Sequence, residues 1–372
     1  MNKKRVMLLG NHAFVIYNFR KELIQRLLKD GYEVYLSMPY DDEKVPLMES
    51  WGCKFIETNV DRRGTNFIND FKLINFYFNI IKKYSPDVVL TYTIKPNLYG
   101  GIACSLLKIP YISNITGLGS GFKNDNILKR ILILLYKIGL KKSSQVFFQN
   151  SSDKNELMQY NVIKNKYEVL PGSGVNLSEY QIKNLPFDNQ ISFVFIGRIM
   201  KDKGIYEYLE AAKTVNRLGY PNVKFNVVGF IEPTEKELIE KLNIMNNNKI
   251  INYLGYQSNV KPYIENAHCL VQPSHGGEGL SNVLLEAGAM GRPLIASDIP
   301  GCRETIIEGL NGYLFKAKDK EGLVEKVLKM INLTEKELSL MGLESRKKIE
   351  KEFDRKVVVE RYIKEIKKIE VE

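Results

Sequence analysis

Short apolar runs alternate with longer mixed segments along the first half of the chain. Residues 5–9 read as a buried strand, 19–30 as a helix stopped by Gly31, and 33–38 as the next strand. Segments 87–92, 110–114 and 145–148 continue the series. Strand, helix, strand in this rhythm predicts a parallel sheet with helices on both faces. The rhythm restarts after a polar, proline-bearing stretch at 184–190. Strand-like runs follow at 191–196, 224–228, 250–253, 269–272 and 294–296. The chain beyond Leu338 is helical and charged, with a break at Phe353-Asp354 and a last helix at 355–369. The expected organisation is two doubly wound domains, 1–185 and 190–350, and a C-terminal helical segment, 351–372. Ligands of such sheets bind at the carboxyl ends of the strands, so the crevice between two of them is the expected site.

A chain of 372 residues is too long for one ordinary core and agrees with two. Hydrophobic residues at 44% and charged residues at 26% describe an ordinary soluble composition. The apolar run at 131–136 is stopped by Lys137, far short of the roughly 20 residues of a membrane helix. The run after Lys3, Lys4 and Arg5 ends at Gly10-Asn11-His12, too early for a secretory signal. Four scattered cysteines suggest neither a disulfide framework nor structural zinc, and a cytoplasmic setting is expected.

Charge changes this picture. Of the net +11, residues 1–185 hold 26 Lys+Arg against 16 Asp+Glu, and the remainder holds 28 against 27. One domain is therefore expected to face an anionic partner, nucleic acid or phospholipid. Aromatic-rich nucleic-acid motifs are missing, so nucleic acid is not expected. The segment 123–142 favours a membrane surface. At about 100° per residue, Lys123, Lys129, Arg130, Lys137 and Lys141 fall within an arc of roughly 120° on an otherwise apolar helix. The plain alternative is a packed helix with an ordinary solvated face.

The densest chemistry lies at 273–293, read as a strand end, a glycine-rich loop and a helix opening at Ser281. Backbone amides at such a helix start form an anion site. Glu278 sits in the loop, and Glu286 on the helix eight residues later. Glycines 276, 277 and 279 let the backbone near Glu278 approach a ligand, so this carboxylate could accept bonds from sugar hydroxyls. Glu286 could take both hydroxyls of a ribose. An exposed helix glutamate is its alternative, disfavoured by the small residues at 287–291. The strand at 191–196 ends in Gly197-Arg198, and Lys203-Gly204 closes a basic loop. Arg198 and Lys203 would neutralise a departing diphosphate, unless the loop is merely a solvated turn. A ligand with hydroxyls at both ends and phosphate in the middle suits this set, as a nucleotide-sugar does. No dinucleotide fingerprint follows the first strand. With no D-x-D and three unpaired histidines, no metal or cofactor is expected.

These residues resemble glycosyltransferase family 4, retaining enzymes of the GT-B fold. Glu278-Gly279, Leu285-Glu286-Ala287, Ala289, Gly291 and Pro293 follow its glutamate motif. Pro171-Gly172-Ser173-Gly174-Val175-Asn176 looks like its segment before the linker, with Asn176 where aspartate is usual. Ser281 stands where many members have proline. Segments 94–100 and 114–119 look like bacterial transferases that build capsule, O-antigen or lipid-linked oligosaccharide, those of N-glycan assembly among them.

The resemblance implies Arg198, Lys203 and Glu278 as catalytic residues. It implies donor binding by Gly10, Asn11, Gly197, Gly279, Leu280, Ser281, Asn282, Val283 and Glu286. His12, Lys95, Asn97, Thr116 and Gly117 would line the acceptor side. The implied reaction is metal-independent front-face transfer from a nucleotide-sugar, with UDP the commonest carrier. The implied acceptor is a polyprenyl-diphosphate-linked sugar at the inner face of the cytoplasmic membrane. The last helix is expected to return to the first domain. A sugar-nucleotide epimerase of the same fold and a non-enzymatic basic membrane scaffold are the competing readings.

Overall fold

Alternate residues of the central strands are buried on opposite faces, so each strand feeds two cores. A computed structural model describes residues 3–58, 67–122, 126–164, 166–186 and 189–371. It divides into two units, residues 1–174 with 355–372, and residues 175–354.

Unit 1 carries β1 (Arg5–Leu9), β2 (Glu33–Met38), β3 (Lys54–Glu57), β4 (Val88–Tyr92), β5 (Tyr111–Ile115), β6 (Gln145–Phe148) and β7 (Tyr167–Val169). Among the described residues these form one parallel sheet in the order β3-β2-β1-β4-β5-β6-β7. Its helices are α1 (Ala13–Lys29), α2 (Lys44–Ser50), α3 (Phe67–Tyr84), α4 (Gly101–Leu107), α5 (Ile127–Gly139) and α6 (Ser151–Gln159). Val6 and Leu8 of β1 pack towards α1, whereas Met7 and Leu9 pack towards α3 and α4. Helix α1 begins six residues ahead of the sequence expectation. His12 caps it, its Nδ1 accepting the Phe14 amide at 3.1 Å, and Ala13 and Ile16 are buried. The apolar run 13–17 is helical because packing overrides its weak helix propensity.

Unit 2 repeats the plan with β8 (Ile191–Ile196), β9 (Val223–Val228), β10 (Asn252–Tyr253), β11 (Cys269–Gln272), β12 (Leu294–Ser297) and β13 (Gly312–Phe315). The order is β10-β9-β8-β11-β12-β13, again parallel. Its helices are α7 (Ile205–Arg217), α8 (Lys236–Asn247), α9 (Lys261–Glu265), α10 (Asn282–Ala289), α11 (Lys320–Ile331) and α12 (Glu335–Glu352). Phe193 and Phe195 of β8 meet α7 and α11 on one face. Val194 and Ile196 join the α10 core on the other.

The unit boundary falls at Gly174/Val175, ahead of the polar stretch at 184–190. Packing explains the difference, because Val175 is buried against Leu280, Leu285, Ile349 and Phe353, and Leu185 lies in the β8 core. Helix α13 (Arg355–Ile369) belongs to unit 1. Its first residue, Arg355, donates to Gly174 O at 3.0 Å and to the Glu22 carboxylate at 2.9 Å. Tyr362 lies in the same core as α1 and packs edge-on against Phe147.

Candidate active site

Strands β8 and β11 are neighbours, so the segments leaving them emerge side by side at the carboxyl edge. Two tight approaches bring those segments together. After β8, a single 3₁₀ turn (Lys201–Lys203) ends at Gly204, whose φ is +76°. A Cβ at Gly204 would lie 1.8 Å from Pro273 O, just past β11. Only glycine allows this approach. On the other side, Gly301 lies against the Glu278 backbone, where an added Cβ would come within 2.7 Å of the Glu278 carbonyl oxygen.

The result is a direct pairing of the Lys203 ammonium with the Glu278 carboxylate. Ser274 Oγ donates to Glu278 Oε1 at 2.7 Å, and Gln272 Nε2 donates to Ser274 Oγ at 2.8 Å. Burial raises the Glu278 pKa, but the Lys203 charge and hydrogen bond, the Ser274 hydroxyl and the Arg198 charge outweigh it. The net effect is below the usual value. Arg198 itself is exposed. Gly197 runs against Gly229, where a Cβ would fall 1.8 Å from Gly197 O.

Helix α10 opens after Ser281, as the sequence predicts. The Ser281 amide already donates to Gly301 O at 2.8 Å, so the next first-turn amides, which a helix leaves without an intrahelical acceptor, are those of Asn282 and Val283. Leu280 and Gly279 are buried and Glu286 is half-buried on α10. The small residues there have a packing role, since a Cβ at Gly288 would lie 2.8 Å from Ile349 Cγ1. The side-chain oxygens Gln272 Oε1 and Asn282 Oδ1 are buried with no hydrogen-bond donor among the described residues. Among those residues no cluster of three or more metal-ligating side chains occurs.

In unit 1, His12, Lys95 and Thr116-Gly117 follow β1, β4 and β5, which are adjacent in the sheet. Gly10 is closed in by Ile16, and Asn11 is half-buried beside it. Lys95 Nζ is paired with Asp70 at 2.8 Å, with both side chains largely buried. Asn97 departs from the expectation. It is 1% exposed, its Oδ1 accepts from Thr91 Oγ1 at 2.7 Å and its Nδ2 donates to Asn114 O at 2.8 Å. Those bonds engage both polar ends of the side chain, which lies buried in the π-helical turn Pro96–Gly100.

The proposed membrane helix is also rearranged. Lys123 lies outside the described residues. Lys129 turns inward, pairing with Glu156 of α6 at 2.8 Å and lying 5.4 Å from the Tyr160 ring centroid, so it leaves the basic stripe. Arg130, Lys137 and Lys141 remain exposed. Ile127, Leu134 and Ile138 are exposed with them, at 77%, 59% and 45%.

Residues 5–150 match the family model described as glycosyl transferase 4-like, and residues 178–351 match glycosyl transferases group 1. The chain belongs to these glycosyltransferase families. This glycosyltransferase is 27% identical to the Campylobacter jejuni N,N'-diacetylbacillosaminyl-diphospho-undecaprenol α-1,3-N-acetylgalactosaminyltransferase, over 97% of each chain. It is 28% identical to the Staphylococcus aureus capsular polysaccharide biosynthesis glycosyltransferase CapM, over 80% of this chain and 81% of that one. An Escherichia coli UDP-Gal:α-D-GlcNAc-diphosphoundecaprenol α-1,3-galactosyltransferase is 25% identical over 77% and 76%. A solved glycosyltransferase from Rickettsia africae superposes with a TM-score of 0.81 over 99% of each chain, at 18% identity. The fold is GT-B. The epimerase and scaffold readings account for none of these likenesses.

Two residues of the glycosyltransferase carry no sequence signal for what they do. Thr93, at the end of β4, has φ +71°, a left-handed backbone that costs a β-branched residue about 1–3 kcal/mol. Arg292 stands at an unspecified position of the glutamate motif, between Gly291 and Pro293, yet it is fully buried and, among the described residues, bonded to backbone carbonyls.

Proposed function

We propose that the protein is a retaining, metal-independent hexosyltransferase. It moves a hexose or N-acetylhexosamine from a UDP-sugar to a saccharide linked to a polyprenyl diphosphate. The observation that carries the reading is the Lys203–Glu278 pair at the carboxyl edge of the second sheet, with Arg198 and the α10 amides on the same edge. A diphosphate competes with Glu278 for Lys203, and Arg198 and the amides of Asn282 and Val283 complete its neutralisation. Glu278, released from Lys203, accepts from hydroxyls of the donor sugar. The acceptor hydroxyl attacks the anomeric carbon on the face the diphosphate leaves, and the departing phosphate oxygen takes its proton. Glu286 takes the ribose hydroxyls. The unpartnered oxygens of Gln272 and Asn282 support a ligand rich in hydroxyl donors. The diphospho-undecaprenol acceptors in the relatives' names support the acceptor class.

The decisive assay offers UDP-N-acetylgalactosamine and UDP-galactose with a lipid-diphosphate-linked saccharide. UDP release that depends on the acceptor, an α-linked product, and a rate unaffected by EDTA are expected. Acceptor-independent behaviour, an inverted product or loss with EDTA each removes the corresponding part of the reading.

The lipid-linked acceptor would be met at the inner face of the cytoplasmic membrane, with the protein held there peripherally. Among the described residues no helix is long and apolar enough to cross a membrane. The exposed face of α5 supports docking, because Ile127, Leu134 and Ile138 share it with Arg130 and Lys137, and the exposed Lys141 follows two residues past its end. Reversing those three charges is expected to weaken binding to phosphatidylglycerol vesicles at least tenfold, at about 1 kcal/mol per cation. Lys129→Glu, which breaks the internal pair with Glu156, should matter less for docking. Unchanged sedimentation of the triple variant with vesicles would remove the docking proposal.

A further inference from the structure

Glu207 is the one carboxylate residue in the buried class among the described residues. It sits in the first turn of α7, three positions after Gly204. Its Oε2 lies 3.1 Å from His275 Nε2, and the two side chains are 7% and 5% exposed. The contact has ion-pair distance without hydrogen-bond alignment, and neither atom has a hydrogen-bond partner among the described residues. A buried polar pair of this kind contributes little net stability, since an apolar pair of similar volume does as well or better. Its value lies in fixing one arrangement.

The place of the pair says which arrangement. Lys203 lies on the turn just before Glu207, and Glu278 lies three residues after His275. The two segments touch at two further points. His275 N donates to Asp202 O at 2.9 Å, and Gly204 lies against Pro273 O. Beyond His275 the chain runs through Gly276 and Gly277, with φ of +126° and +79°. Two glycines give the path to Glu278 wide backbone freedom. His275 is therefore the last side chain that anchors the loop before the carboxylate.

We infer that Glu207 and His275 are positioning residues, a buried pair that holds the glycine loop so that Glu278 stands against Lys203 and the donor sugar. The inference rests on the proposed role of Glu278. Neither side chain reaches the ligand, and both act through where Glu278 stands. Misplacement by about 1 Å is enough to cost up to about 100-fold in rate.

The test is a double-mutant cycle in the full-length protein, using UDP-N-acetylgalactosamine with the lipid-linked acceptor for turnover and UDP for calorimetry. Glu207→Ala and His275→Ala are each expected to lower kcat about 10- to 100-fold with UDP affinity within about threefold of wild type. In a Glu278→Ala background each should add less than about threefold, because the residue they position is gone. His275→Gln should recover most of the loss, since its Nε2 takes the place of the imidazole Nε2. Undiminished kcat, an equal loss in the Glu278→Ala background, or no recovery with glutamine overturns the inference. Should Glu207→Ala not fold, the two His275 variants carry the same comparison. Full activity of Glu278→Ala alone is a different result, and it sinks the proposed role of Glu278 instead.

Discussion

Glu278→Ala is expected to lower kcat at least 100-fold while the protein stays folded. The expectation follows from what the carboxylate touches. Among the described residues it is bonded to Lys203 and Ser274, and it feels the charge of Arg198. Its removal deletes the acceptor proposed for the donor sugar and frees Lys203 from its resting position. Losing one preorganised transition-state contact costs about 100- to 1,000-fold, or about 2.7–4 kcal/mol. The fold should survive, because the Lys203 side chain is 22% exposed and can turn to water. Lys203→Ala should match it in kcat and should also weaken UDP binding, since the ammonium is assigned to the diphosphate. Stopped assays with circular dichroism on the same samples separate lost chemistry from lost structure. Near-normal turnover in both variants would defeat the assignment.

The same carboxylate sets a pH dependence. Its pKa lies below the ordinary 4.5 in the folded protein. The pairing therefore contributes stability that is fully present above about pH 4.5 and is lost as pH falls through the lower folded value. Glu278→Gln should remove that acid limb from the stability curve.

Arg292→Met is expected to cost the largest stability of any single change proposed, about 3 kcal/mol or more, the scale of leaving several hydrogen-bond acceptors without their donor. The guanidinium is fully buried and, among the described residues, meets no carboxylate at salt-bridge distance. It donates to the carbonyls of Ile264 at 2.9 Å, Lys183 at 2.8 Å, Asn184 at 3.1 Å and Glu265 at 2.8 Å. Burial lowers its pKa to about 10, with the Glu265 charge opposing, so it remains cationic near neutral pH. Two of the carbonyls lie in the last turn of α9, where a cation also meets the negative end of the helix dipole. The other two belong to the segment leading into β8. Methionine fills much of the volume but takes the guanidinium donors from the part-buried carbonyls of Lys183, Asn184 and Glu265, at up to about 1–3 kcal/mol each before water or relaxation compensates, whereas Ile264 O keeps the Ala267 amide at 3.1 Å. Urea unfolding should show a lower midpoint with an unchanged slope. A midpoint within error of wild type would mean that water replaces the guanidinium without loss.

Much of the architecture was legible along the chain. The alternation of apolar runs with longer mixed segments marks a parallel sheet of buried strands, because strands covered on both faces need no polar side. That signal identified β1, β2, β4 to β6 and β8 to β12 to within a few residues. It passed over β3, β7 and β13, edge strands of four, three and four residues, too short to show a run, with charged residues in β3 and β7 and a glycine opening β13. The start of α1 was hidden for another reason. Residues 14–17 have aromatic and β-branched side chains whose local preference is extended, and burial of Ala13 and Ile16 overrides it. Periodicity likewise assigned Lys129 to a solvated stripe, although a long side chain can bend to an acid on a neighbouring helix.

The sequence by itself determined the two doubly wound sheets, the family, and which residue types stand at the carboxyl ends of their strands. It could not determine which of those residues meet. Lys203 and Glu278 are 75 positions apart. They touch because β8 lies beside β11, and because Gly204 and Gly301 let backbone approach backbone. The same packing withdrew Asn97 from ligands and buried Glu207 against His275. Periodicity records which face of an element is buried, whereas side-chain partners depend on strand order and on distances of a few ångströms, which only the folded chain fixes.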